Sequence, residues 1–401
     1  MAAALAIGAF AFALPAGGVG PSWLVAALAV LALVWVGARP LAEKRDDVLP
    51  ALAILLTSLG LITVARVAPE LAARQLVWVA ISLGLAVALG PWLRRYRLLA
   101  RYKYIWILGS IALFGLVAVF GQEVNGAKLW IRIAGVQFEP IEVIKLFVVF
   151  FMSAYLAETA DVIATARPWS LRANAKYLGP LFIGWAASVA ILIFERDLGM
   201  AALLLATFAA MLYVATRRID LILGGVGVFA LLAWWAIHHY AYVGLRIAAW
   251  RNPFADPYGS GYQGLQALFS VVSGGVFGAG YGGGRPDYVP AVATDYIYAA
   301  YSEEFGALGS IAVLALFLVL VRRALATAAE QPDLYGRLLA TGLAATLGFQ
   351  VIIIVGGVLR LFPLTGITLP FFSYGGSSLV ANYLLIAMLW AISSRPQKTT
   401  V

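Results

Sequence analysis

Long apolar runs, broken by short clusters of charge, glycine and proline, set the pattern of this chain from end to end. An apolar run of about 20 residues is the length that crosses a bilayer as a helix. Twelve such runs can be placed, beginning near Ala2, Ser22, Val48, Gln75, Lys103, Ile141, Tyr177, Leu198, Asp220, Tyr296, Leu338 and Ser378. The pattern therefore predicts an all-α integral membrane protein of about twelve transmembrane helices. Three segments between runs are longer than a turn needs: Gly121 to Pro140, roughly Tyr240 to Asp295, and Leu359 to Ser377. They are dense in glycine, proline, aromatic and charged residues, and long loops of that kind are commonly functional. The apolar start from Ala2 to Leu14 has no basic stretch before it, so a retained first helix is expected rather than a cleaved signal.

Composition agrees with the spans. Of 401 residues, 63% are hydrophobic and 12% charged, against about 25% charged in soluble domains, which excludes a soluble enzyme. There is no cysteine and there are two histidines, His238 and His239. Thiol nucleophiles, disulfides and zinc knuckles are thereby excluded, and any catalysis has to use carboxylates, hydroxyls or cations.

The net charge of +9 reads as cationic loops facing anionic lipid, not as a nucleic-acid surface. With the N-terminus placed in the cytoplasm, eighteen of the 28 Lys and Arg residues fall in cytoplasmic segments, from Arg39, Lys44 and Arg45 through to Arg395 and Lys398. That is the positive-inside arrangement, and it predicts both termini in the cytoplasm. Eleven of the nineteen acids fall on the other side, among them Glu139, Glu142, Glu195, Asp197, Asp295, Glu303 and Glu304. The long loops share that side, so the chemistry is expected to face outward.

Four constellations carry candidate chemistry. In the first, Lys128, Trp130 and Arg132 precede Glu142 and Lys145, whose i,i+3 spacing suits an intrahelical ion pair. Trp130 also reads as an interfacial anchor, yet ionisable groups within an apolar helix mark a substrate or ion path by default. In the second, Glu195, Arg196 and Asp197 form a charged hinge between two spans, suited to a solvated turn, a structural ion pair or phosphate binding.

The third is the loop near 240–295. Its stretch from Gly274 to Gly284 holds seven glycines but lacks the Lys-Ser/Thr ending of a P-loop. It reads as flexible backbone folding over a surface, and no nucleotide is predicted. Asp295, just before the next span, has two local readings, a helix N-cap or a catalytic carboxylate, and spacing alone favours the cap. Glu303 and Glu304 sit two turns further on and call for internal partners such as arginines. The fourth, PLTGITLPFFSYGGSSLVANY, places hydroxyls at Thr365, Thr368, Ser373, Tyr374, Ser377 and Ser378 on a glycine-rich turn. Such a turn is suited either to sugar and diphosphate ligands or to a tight re-entrant fold.

Taken in order, GAKLWI, EVIKL, the DLG of Asp197 to Gly199, YQGLQALFSVVSGG from Tyr262 (with Gln266), TDYIYA from Thr294, EEFG from Glu303 and LPFFSYGGSS from Leu369 resemble the SEDS family (shape, elongation, division and sporulation) of RodA/FtsW type. The resemblance spans roughly Asp47 to Arg395. It implies a ten-helix core over residues 47–401, with residues 1–46 as an additional N-terminal helix pair. It further implies a peptidoglycan glycosyltransferase of the bacterial cytoplasmic membrane that polymerises lipid II, the undecaprenyl-diphosphate-linked precursor, with inversion. A class B penicillin-binding protein is the implied partner, and a divalent cation, magnesium or manganese, the implied helper. Through its motif Asp295 inherits the role of the essential acidic residue, and the mechanism expected for it is that of general base. Lys128, Trp130, Glu142, Lys145 and the Ser373 to Ser378 run match positions important for function or for cavity lining. Lys128, Arg132, Arg196, Arg246, Arg251, Arg285 and Arg360 are the candidate counter-charges for the leaving diphosphate. Where many members have Glu and His shortly before the acidic residue, this chain has Ala291 and Ala293. The competing reading is a flippase for the same precursor, in which Glu142, Lys145, Glu303 and Glu304 would line a path.

Overall fold

The computed structural model describes residues 46–124, 127–133, 136–165, 177, 179 and 197–393. Expected helices beginning near Ala2, Ser22 and Tyr177 lie outside, or almost wholly outside, the described residues. The remaining nine are present, as α1 (Val48–Val67), α2 (Pro69–Leu93), α4 (Lys103–Phe120), α5 (Ile141–Thr165), α6 (Leu198–Thr216), α7 (Ile219–His239), α10 (Ile297–Ala329), α11 (Leu334–Val358) and α12 (Gly376–Ile392). Eight of them are long and apolar enough to cross a membrane, and α12 is a shorter apolar helix.

Two starts differ from expectation because helix ends tolerate polar residues that an apolar run excludes. Helix α2 begins at Pro69, not near Gln75, with proline in its first turn where no N–H is needed. Helix α11 begins at Leu334, not near Leu338, because the Asp333 carboxylate caps it by accepting the Gly336 N–H at 2.9 Å. Further elements fall inside segments expected to be loops. They are α3 (Arg97–Arg101), α8 (Ala241–Arg251), α9 (Tyr262–Ser273) and three short strands, β1 (Gln122–Val124), β2 (Ala127–Ile133) and β3 (Val136–Phe138). The strands form an antiparallel sheet in the order β1-β2-β3. The sequence carried a signal for it: Asn125 and Gly126, between Val124 and Ala127, are the pair that two-residue hairpins favour.

The chain divides into two compact units. In the first, comprising residues up to 96, 266–327 and from 368 on, α12 packs along α2 and α1. Two close approaches explain glycines there. A Cβ on Gly60 would lie 2.5 Å from the Phe372 backbone, and one on Gly376 would lie 2.2 Å from the Trp78 indole. Between the helices, Thr57 Oγ1 and the Tyr383 hydroxyl meet at 2.7 Å in a fully buried contact.

In the second unit, comprising residues 97–265 and 328–367, α5 packs against α4, α6 and α11, and α11 against α6. Helices α5 and α11 are buried on almost all faces, whereas α7 buries only Ala236. An apolar helix left exposed over its length is suited to lipid, where its backbone groups are satisfied internally.

Candidate functional site

Asp295 lies in the first unit, half-buried, in the turn two residues ahead of the first helical residue of α10. The carbonyl that opens the helix is that of Tyr296, which accepts the Ala299 and Ala300 N–H groups, so Asp295 stands one residue ahead of the opening position. What shapes the turn is Ala291, held in the left-handed region at φ 51. Its carbonyl accepts the N–H groups of Thr294 at 3.1 Å, Asp295 at 3.1 Å and Tyr296 at 3.3 Å, and the Thr294 hydroxyl at 3.2 Å. A left-handed alanine costs about 1–2 kcal/mol and persists only where surrounding bonds over-determine it.

Those surrounding bonds come from the SYGGSS segment. The Ser373 hydroxyl donates to the Thr294 carbonyl at 2.6 Å, and the Tyr374 N–H donates to the Ala293 carbonyl at 2.8 Å. Ser373 is in turn held by the Leu369 N–H at 3.0 Å, and Gln75 of α2 donates to its carbonyl at 3.1 Å while accepting the Gly375 N–H at 3.4 Å. Further along, Ser378 accepts from the Thr368 hydroxyl at 2.7 Å and from Asn382 at 3.1 Å. Thr294, Asp295, Ser373, Tyr374, Ser377 and Ser378 are thus gathered at the start of α10 and α12, with the backbone on either side of Asp295 tied to the segment that leads into α12.

The glycine-rich stretch folds over the surface of α10, against a break in that helix. Helix α10 breaks at Gly306, with φ 65 and ψ −170. The break frees carbonyls and N–H groups that lipid could not satisfy, and the glycine backbone takes them up. Ala279 and Gly280 donate to the carbonyls of Glu303 and Glu304 at 2.9 and 3.0 Å, while Ala307 and Leu308 donate to those of Gly275 and Val276 at 2.9 and 3.2 Å. Glycine is required because the chains nearly touch, a Cβ on Gly278 falling 2.1 Å from the Glu304 carbonyl oxygen.

Of the buried pair Glu303 and Glu304, Glu304 meets an arginine side chain and Glu303 a backbone N–H. Arg66, near the end of α1, lies 3.0 Å from Glu304 and donates to the carbonyls of Gly282 and Gly284 at 3.1 and 3.2 Å. Glu303 accepts the Arg285 N–H at 3.0 Å. Burial, with the nearby Glu304 charge adding to it, pushes the Tyr281 phenol above its ordinary range. Gln266 is half-buried on α9.

The second unit holds the other constellation. Lys145 pairs with Glu142 and donates to Gln350 of α11 at 2.9 Å, with the ion pair buried. The i,i+3 pair is therefore real, and its third member comes from a distant helix. Asp197 caps α6 by accepting the Met200 N–H at 2.9 Å and is buried, with Arg246 its attracting cation. Arg246 also donates to the Thr365 carbonyl at 3.2 Å and lies 4.5 Å over the Tyr242 ring. Trp250 donates to the Arg360 carbonyl at 2.9 Å, and Arg360 returns a bond to the Trp250 carbonyl at 2.6 Å. Between α8 and α9, Asp256 accepts the Ser260 N–H at 2.7 Å, the Ser260 hydroxyl at 3.1 Å and the Gly259 N–H at 3.1 Å, bonds that hold its carboxyl below the usual range.

On β2, Trp130 is half-buried and Arg132 exposed, sharing a face of the strand, while a register irregularity separates them from Lys128, whose side chain lies outside the described residues. Glu195 and Arg196 lie outside the described residues as well. Among the described residues no three His, Cys, Asp or Glu side chains come together to hold a metal.

The profile of the FtsW/RodA/SpoVE cell cycle proteins matches residues 47–398. The chain belongs to this family. RodA of Mycobacterium tuberculosis, named as a peptidoglycan glycosyltransferase, is 39% identical over 404 residues, covering 95% of this chain and 86% of that protein. Stage V sporulation protein E of Bacillus subtilis is 36% identical over 295 residues, covering 72% of this chain and 78% of that protein. Among solved structures, a chain of a peptidoglycan synthase complex that coordinates polymerization and crosslinking is similar at a TM-score of 0.72 and 30% identity, covering 88% of this chain and 99% of that one. The rod shape determining protein RodA of Thermus thermophilus is similar at a TM-score of 0.62 and 29% identity, covering 88% and 97%.

Four polar residues were not singled out from the sequence: Arg66, Gln75 and Asn382, which help build the Asp295 constellation of the first unit, and Gln350, which joins the Glu142–Lys145 pair of the second. Each stands in or at the end of an apolar run, as Gln350 does in GFQVIIIV. A polar side chain in such a run is the available signal, since lipid exposure would be costly.

Proposed function

We propose that this chain polymerises glycan strands of peptidoglycan from lipid II at the outer face of the bacterial cytoplasmic membrane, with both termini in the cytoplasm and a class B penicillin-binding protein as partner. Family membership supports the glycosyltransferase activity, and the observation that carries the site is the Asp295 turn, a carboxylate on strained backbone bolted to the SYGG segment by two bonds. The Asp295 carboxylate takes the proton of the acceptor sugar 4-hydroxyl as that oxygen attacks the donor anomeric carbon. The bond from that carbon to the diphosphate breaks as the new glycosidic bond forms, and the configuration inverts. Negative charge developing on the diphosphate is met by first-turn N–H groups of α12 and by Arg285, exposed on the same segment as Asp295. A divalent cation held by the substrate diphosphate together with one or two carboxylates would add positive charge at the leaving group, and the steps above use the chain's own groups.

The test is a gel of glycan ladders from labelled lipid II, comparing the native chain with Asp295→Asn, which keeps shape and removes the base. Ladders lost in a variant that melts at the native temperature support the assignment. Native ladders from Asp295→Asn would end it, and transfer of lipid II across vesicles without ladders would favour the flippase.

A further inference from the structure

We propose that Arg66 is a positioning residue for Asp295, acting through the glycine-rich backbone without touching substrate; this rests on the polymerase reading of the Asp295 turn. Glycines at 278, 280 and 282 have φ of 84, 86 and 80, and a backbone so permissive keeps no shape of its own. It needs cross-links, and Arg66 supplies them. One guanidinium pairs with the buried Glu304 carboxylate at 3.0 Å while a single Nη2 donates to both the Gly282 and Gly284 carbonyls at 3.1 and 3.2 Å, so the charge pair on α10 sets where the two carbonyls are held. The next residue is pinned as well, since Glu303 accepts the Arg285 N–H at 3.0 Å.

From that grip the chain runs as a short arch to Asp295, whose far end is bolted by Ser373 and Tyr374. Within the arch sits Ala291 at φ 51, a conformation that relaxes once one end of the arch is released. Relaxation moves the carboxylate, and a displacement of about 1 Å costs roughly 100-fold in rate. Arg66 thereby converts a buried charge on α10 into a fixed place for the base.

The experiment compares the full-length native chain with Arg66→Met, Arg66→Lys and the double variant Arg66→Met/Glu304→Gln. It measures polymerisation rate against lipid II concentration, melting temperature, and amide hydrogen exchange over residues 285–296 without substrate. Arg66→Met is expected to lose about tenfold or more in kcat with KM within about twofold of native, and to exchange faster across the arch. The double variant regains melting temperature because Glu304 is no longer a buried charge stripped of its cation, yet stays slow because the two carbonyls remain ungripped. Arg66→Lys falls between. Native kcat in Arg66→Met, or kcat that returns together with melting temperature in the double variant, overturns the inference. If Arg66→Met does not fold, the lysine and double variants decide by the same criteria. A native chain that makes no glycan would count against the polymerase reading alone, because the exchange measurement still judges Arg66.

Discussion

Substituting Lys145 by methionine removes the cation from a pair in which lysine is 0% and glutamate 1% exposed. Methionine matches the length of the stem, so packing changes little, and the Glu142 carboxylate is left charged with no counter-ion in the interior. Removing one partner of a buried pair costs about 3–5 kcal/mol, or roughly 100- to 4,000-fold in the folded-to-unfolded ratio. Gln350 also loses the donor to its carbonyl at 2.9 Å, adding about 1–3 kcal/mol if no other donor reaches it. The double variant Glu142→Gln/Lys145→Met removes both charges and should recover most of the first term, because neutral groups of similar volume replace buried pairs at little cost. Unfolding by denaturant in detergent, followed by tryptophan fluorescence, would measure all three proteins. If Lys145→Met were as stable as native, or the double variant no more stable than the single, the reasoning from uncompensated burial would be refuted.

Gly306→Ala should destabilise by at least about 2 kcal/mol in thermal melts, from left-handed strain together with a clash, since its Cβ would fall 2.3 Å from the Gly278 nitrogen. Gly275→Ala, at φ 53 but with open space around it, should cost only about 1–2 kcal/mol, so equal losses would argue against close approach as the cause. The Asp256 carboxyl is held below its ordinary value, so its contribution to the order of the loop is complete at neutral pH and is lost as pH falls through the depressed folded value. Amide exchange at Ser260 and Gly259, corrected for intrinsic rates, should lose protection there in native protein and at neutral pH in Asp256→Ala; protection unchanged in both would contradict the assignment.

The first and last turns of helices were harder to read than their middles. Runs near Gln75 and Leu338 begin earlier in the structure because Pro69 and Asp333 serve helix starts and contribute no apolarity. The loop near 240–295 hid α8 and α9 for a related reason: neither is long enough to cross a bilayer, so neither stands out by length. The candidate site was partly legible. Glu303 and Glu304 could be said to need cations because charge inside an apolar run has to be compensated, yet Arg66 could not be named, lying far off in the chain.

What the sequence by itself determined is the succession of spans and the class of chemistry open to the protein. Lipid demands a minimum apolar length from each crossing whatever its neighbours are, so the rule can be applied one segment at a time. The absence of cysteine likewise bounds the reactive groups without reference to shape. Only the tertiary structure decided which polar groups meet: Gln75 with Ser373, Lys145 with Gln350, Arg66 with the glycine backbone. Spacing along the chain predicts contacts three or four residues away, as between Glu142 and Lys145, because one helix places them on one face. It is silent on contacts hundreds of residues apart, which depend on how helices pack. The same holds for the Asp295 turn, where Ser373 and Tyr374, from another part of the chain, hold the Thr294 and Ala293 carbonyls beside the left-handed Ala291.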